Sequence, residues 1–190
     1  QAGTLTNCAI FEAGLRMGGA PTGGDKGLGT INTKGLYVEG HGTVAQTVTT
    51  TYSTYSSSAN TIPFDDTIPQ QGGSEGVEIM SRAITPVNAS STIRVDVSVQ
   101  VNASSTEVIA ALFVDSTANA LAARSSLSSG SNLATISFSY EASAGSTTAR
   151  TYRVRVGAST GTIYINGNSG GRKFGGVSIC SLTVTEILPQ

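Results

Sequence analysis

The stretch Thr92-Ile-Arg-Val-Asp-Val-Ser-Val-Gln-Val101 alternates apolar and polar residues without a break. Successive side chains of a β-strand face opposite ways, so Ile93, Val95, Val97, Val99 and Val101 make one apolar face and Arg94, Asp96, Ser98 and Gln100 the other. A helix would scatter the same residues around its axis. β-Branched side chains lose little rotamer freedom in a pleated sheet, and burying each contributes about 1.5–3 kcal/mol before entropy is subtracted. That face demands an apolar cover, and the rest of the chain offers strands rather than helices to supply it.

Upstream, 76–86 alternates at Val77, Ile79 and Ser81 until Pro86 ends it. Downstream, 107–115 is continuously apolar, which periodicity alone leaves open between a short buried helix and a strand covered on both faces, with strand favoured. Ala134, Ile136, Phe138, Tyr140 and Ala142 alternate again, and after a turn at Gly145 so do Tyr152, Val154 and Val156, which predicts a hairpin of these two strands. Arg153 and Arg155 then share the opposite face, either solvated or paired with Glu141 or a ligand carboxylate. A short strand over 161–165, a glycine-dense loop over 166–176 and a last strand over 177–187 complete the series. The hexapeptide Val-Asn-Ala-Ser-Ser-Thr occurs at 87–92 and again at 101–106, marking a loop at each end of the opening strand; its Asn88 and Asn102 also match the short glycosylation pattern. Prolines at 63 and 69 place 61–69 at an edge or in a turn, and Asp65 and Asp66 read as turn caps rather than calcium ligands. Some eight short strands between turn clusters predict an all-β antiparallel sandwich or jelly roll.

Composition narrows the function classes. A chain of 190 residues can bury a substantial core in one domain. Charged residues make up 12%, about half the usual share, and the net charge of −1 with dispersed basic residues lacks the footprint of a nucleic-acid binder. No apolar run reaches the roughly 20 residues of a spanning helix, so no membrane insertion is expected. The two cysteines, Cys8 and Cys180, read as free thiols, and His41, the single histidine, sits between glycines with no nucleophile beside it. The sequence begins at Gln1, which fits a processed product or a piece of a longer polypeptide.

The first forty residues break into short apolar pieces between glycines, too brief to fold alone and suited to shelter among copies of the same chain. The run 14–38, Gly-Leu-Arg-Met-Gly-Gly-Ala-Pro-Thr-Gly-Gly-Asp-Lys-Gly-Leu-Gly-Thr-Ile-Asn-Thr-Lys-Gly-Leu-Tyr-Val, resembles a segment of tailed-bacteriophage tail fibres and tailspikes. The motifs Ile-Pro-Phe-Asp-Asp-Thr-Ile-Pro-Gln at 62–70, Gly-Ala-Ser-Thr-Gly-Thr at 157–162 and Gly-Gly-Arg-Lys-Phe-Gly-Gly at 170–176, with 111–123, are similar to a C-terminal domain of the same fibres. This resemblance implies a homotrimer with an intertwined β-rich stem over 1–42 and a C-terminal sandwich domain over 43–190. It further implies attachment to other virion proteins through the N-terminal side, and a place on the virion exterior after synthesis in the host bacterial cytoplasm.

Three functions compete. The first is a non-enzymatic fibre component that binds bacterial surface polysaccharide through loops at its tip. The second is a structural head fibre or decoration protein without a receptor. The third, a glycan depolymerase, would want two carboxylates about 5–9.5 Å apart in a groove, and the few acids form no such pair in the sequence. The absence of tryptophan counts against a strong lectin. Tyr164, Asn166, Asn168 and Arg172, in and before the glycine-dense loop, are the candidate ligand contacts, while Arg172, Lys173 and Phe174 also read as an anchor packed under a tight turn. No catalytic residue, metal ligand or cofactor is expected.

Overall fold

The structure is a computed structural model and describes residues 42–72 and 75–189. The 1–41 portion of the expected stem, with Cys8 and His41, lies outside the described residues.

Among the described residues twelve strands follow in order: β1 (Val44–Tyr52), β2 (Ser56–Ser58), β3 (Val77–Ile84), β4 (Thr92–Asn102), β5 (Thr106–Val114), β6 (Ala122–Ser128), β7 (Ala134–Ser143), β8 (Arg150–Ala158), β9 (Ile163–Ile165), β10 (Gly167–Asn168), β11 (Gly171–Arg172) and β12 (Cys180–Ile187). The strand that carries the decisive alternation, β4, is the centre of one sheet. β12 pairs with it on one side, with Val184 opposite Val95, and β7 on the other, with Tyr140 opposite Val95. With β1 on the far side of β12, the order of the long strands is β1-β12-β4-β7, and the second sheet runs β3-β8-β5-β6. All of these pairs are antiparallel. Two four-stranded sheets in these orders are an eight-stranded jelly roll.

The cover that the apolar face of β4 demands is the inner face of the second sheet. Ile93, Val95, Val97, Val99 and Val101 pack in one cluster with Val108, Ala110, Leu112 and Val114 of β5 and Tyr152, Val154 and Val156 of β8. The other face of β5 is buried too. Ile109, Ala111 and Phe113 point outward and are covered by Ile62, which explains the unbroken apolar run. The proline-bracketed segment is therefore neither an edge strand nor a simple turn: it is a strap across the outside of the second sheet, bonded through Ile62 N to Ala158 O and Gln71 N to Ala118 O. Gly157 lies under it because a Cβ there would stand 2.8 Å from the Ile62 backbone nitrogen. Asp65 caps the bend of the strap by accepting from Thr67 N and Thr67 Oγ1, bonds that hold its carboxyl below the usual carboxylate range.

The predicted hairpin of 134–142 with 150–156 does not form. Both segments are strands, but β7 pairs with β4 and β8 with β3 and β5, because the chain crosses between sheets over 144–149. Glu141 consequently meets Arg94 in its own sheet, and Arg153 meets Glu78. The segment 43–60 resolves into the edge strand β1 and its continuation β2, and the last strand begins at Cys180 rather than at residue 177. The repeated hexapeptide does flank β4, yet Asn88 caps an exposed turn through Ser90 N while Asn102 is buried and donates to Gly130 O and Asn132 O.

Among the described residues, one core position is charged. Glu186 follows Cys180, Leu182 and Val184 on the inward face of β12 and is 0% exposed. Its carboxylate accepts from Gln46 Nε2 at 2.6 Å, Val87 N at 2.9 Å and Asn88 N at 3.2 Å, tying β1 and the β3–β4 turn to the last strand. Burial alone would push this carboxyl up, but the bonds from Gln46, Val87 and Asn88 outweigh it and hold the group below its ordinary value. A lowered folded-state value stabilises the protein above the unfolded carboxylate range, and that share is lost as pH falls through the folded-state value. Denaturant titrations should show Glu186→Gln less stable by about 1–3 kcal/mol at neutral pH, with the gap to the wild type closing below about pH 4. An unchanged gap across that range contradicts the assignment. Ile62→Ala should cost about 2–5 kcal/mol in the same assay.

Candidate functional site

The two ends of the jelly roll differ. Thr43 accepts from Leu188 N, so the chain comes in beside the end of β12, at the end that also holds the β3–β4 and β7–β8 connections. The opposite end holds the start of β12, the turns after β4 and β6, and an excursion of the chain over 166–179. All four predicted contact residues, Tyr164, Asn166, Asn168 and Arg172, belong to this far end.

The excursion exists because one edge of β4 is shared by two strands. β12 pairs with β4 from Thr92 to Ser98, and β9 pairs with it at Val101 and Asn102. Between them Gln100 lacks a backbone acceptor and its N–H turns to Cys180 Sγ at 3.4 Å, while its carbonyl accepts from Asn166 N at 3.0 Å. Burial pushes the Cys180 thiol up, keeping it protonated. Asn166 sits at the break with φ +56°, in the left-handed region that asparagine tolerates. It is 1% exposed, donates to Tyr52 O at 2.9 Å and Thr54 O at 3.2 Å, and accepts from Ser178 Oγ at 3.1 Å.

Asn168 is equally committed. Its Nδ2 donates to Ser131 O, its Oδ1 accepts from Gly170 N, and its carbonyl accepts from Tyr55 OH. In this conformation both asparagine side chains hold the excursion in shape. Gly167 is required at the same place, since a Cβ there would lie 2.5 Å from Gly171 O. Tyr164 is half-buried, and Arg172 is exposed, its guanidinium lying against Gly176.

Phe174 is not an anchor. It is 67% exposed at φ +51°, a conformation that strains a bulky side chain, and it is followed by Gly175 and Gly176, also at positive φ. Val177, 80% exposed, and Ile179 extend the apolar surface of the same loop. The missing signal was conformational: the glycines around Phe174 turn the backbone so that an aromatic residue faces water, which sequence spacing alone does not reveal. The excursion thus offers one exposed aromatic ring and one guanidinium on an asparagine-clamped base, with the half-buried Tyr164 in the preceding strand β9. Among the described residues no group of three or more His, Cys, Asp or Glu side chains is placed to hold a metal ion.

No protein-family model and no curated protein matches the chain. Among solved structures, it is similar to a chain in the structure of infectious bursal disease virus Gx strain, with 15% identity, a TM-score of 0.35, and coverage of 84% of this chain and 42% of that one. A chain in the structure of the Gt strain of that virus gives 16% identity and a TM-score of 0.36, covering 90% of this chain and 47% of that one. The chain spans less than half the length of either, and likeness of this degree carries no functional argument.

Asn166→Ala should destabilise the protein by at least about 2 kcal/mol, since it strands Tyr52 O and Thr54 O. Phe174→Gly, relieved of its strained φ, should be as stable as the wild type or more stable by about 1 kcal/mol. Chemical denaturation midpoints of the two variants check both, and a Phe174→Gly protein clearly weaker than the wild type would show that the ring is packed.

Proposed function

We propose that the chain is a non-enzymatic component of a bacteriophage virion, the distal part of a trimeric tail fibre, and that it contacts bacterial surface polysaccharide through the end of the jelly roll opposite Gly42. The observation that carries this reading is the polarity of the domain: the chain comes in at one end, and the long clamped excursion with its exposed aromatic lies at the other. That is the layout of a domain attached by one end and used by the other. The resemblance of 14–38 and 61–186 to tail-fibre sequences supports the virion setting and the trimer, with the stem segment joining the chain to other virion proteins. The jelly roll itself is used by capsid and lectin domains alike, so fold does not choose between adhesin and scaffold.

Loop residues on a rigid scaffold are where recognition concentrates, and Phe174 with Arg172 and Tyr164 supplies the stacking face and polar neighbour that sugar contact uses. The runner-up is a head fibre or decoration protein with the same domain and no receptor. It draws on the low charge and hydroxyl-rich composition, which suit a durable particle surface as well as an adhesin.

The full chain should have a solution mass three times its 19.3 kDa and bind an array of bacterial surface polysaccharides, with Phe174→Ala together with Arg172→Ala weakening that binding at least about tenfold. Light scattering and array binding measure the two parts. A trimer that binds no polysaccharide favours the structural reading, and a monomer contradicts both.

A further inference from the structure

A second feature of the molecule has no part in the contact end. On the outer face of the second sheet, a cleft of about 410 Å³ opens between the strap and the turn after β5. Its volume falls within the range of small-molecule sites. Arg153 and Arg155 from β8 and Glu78 from β3 form its floor, and Gln71, Asp115 and Ser116 its walls. We propose that this cleft is a saccharide subsite that takes one neutral hexose or N-acetylhexosamine unit; the proposal rests on the polysaccharide-binding reading above and adds a place for the sugar away from the excursion.

The lining is held before any ligand arrives. Arg153 donates from Nε to Asp115 O at 3.2 Å and from Nη1 to Glu78 Oε1 at 3.0 Å. Arg155 donates from Nε to Glu75 O and from Nη2 to Gly76 O, both at 2.8 Å, so it also pins the return of the strap. Gln71 Nε2 reaches Asp115 O and Thr117 O, and Asp115 Oδ1 accepts from Thr151 N at 2.7 Å. These long side chains have already lost their rotamer freedom, so a ligand need not order them.

Capacity remains after those bonds. A guanidinium carries five N–H donors, and each arginine here spends two of them, while Glu78 keeps its second carboxylate oxygen and Ser116 its hydroxyl. Donors and acceptors therefore stand side by side. A sugar hydroxyl both donates and accepts, and a vicinal pair spans an arginine–carboxylate pair. Two arginines and two carboxylates line the cleft, leaving no net charge to draw an anionic sugar over a neutral one. Arg153 and Glu78 are about one-third exposed, 33% and 34%, which leaves their free edges within reach of a ligand while the rest of each side chain is shielded.

The test uses the full chain and follows its arginine Nε–H resonances by NMR while methyl α-D-glucopyranoside, methyl N-acetyl-β-D-glucosaminide or D-glucuronate is added. At least one of the two neutral glycosides should shift the Arg153 and Arg155 signals saturably, with Kd of about millimolar order, and glucuronate should bind several-fold more weakly. Ala118→Trp, which fills the cleft from an exposed position, and Arg153→Lys, which keeps charge and loses the fork, should each weaken binding at least about tenfold while signals outside the cleft hold their places. Saturable shifts confined to residues near Tyr164 and Arg172 overturn the cleft and leave the adhesin reading standing. No saturable shift from either neutral glycoside, equal or tighter binding of glucuronate, or undiminished binding in both variants also overturns it. Polysaccharide binding by the wild type, measured separately on the array, decides the broader reading.

Discussion

The domain depends on the burial of one face of β4. Five β-branched residues in strict alternation cannot stay in water, and a single sheet can hide them only by acquiring a second layer. β5 and β8 form that layer, and each long strand then takes its place by whether it pairs with β4 or with them. Because β4 is flanked on both edges, neither edge is free to template another chain.

Two polar residues at core positions mark where regular pairing gives way. Asn166 closes the gap between β9 and β12 on the shared edge of β4, and from that gap the chain makes its excursion. Glu186 occupies the last inward position of β12, where the sandwich opens to loops, and its oxygens accept from the backbone N–H groups of Val87 and Asn88. Each residue holds one end of the barrel-like stack in shape, so the same device serves both ends of the sandwich.

Strand identity was legible in the sequence wherever one face was buried and the other wet, as in β4, β7 and β8, because a period of two leaves a direct trace. Pairing was not. A strand at 134–143 and one at 150–158 joined by a short turn read as a hairpin, yet nothing in either alternation encodes a partner, and the jelly roll sends them to different sheets. β6 left no trace in the pattern because Ala122–Ser128 carries almost no apolar contrast. The loop over 166–176 was half legible: its glycines predicted a tight irregular segment, but the carbonyls that Asn166 and Asn168 bind, those of Tyr52, Thr54 and Ser131, lie far away in sequence. The outer-face cleft could not be foreseen, since Gln71, Glu78, Asp115 and Arg153 come together only through the strap and the sheet register.

The arrangement of strands around β4 is open to one direct measurement, the cross-strand backbone NOEs of the isotope-labelled protein. The account predicts Asp96 opposite Ser139, Leu182 opposite Val97 and Arg153 opposite Ser81 and Phe113. A continuous ladder joining 134–142 directly to 150–156 would contradict it, and the two-sheet jelly roll would have to be abandoned.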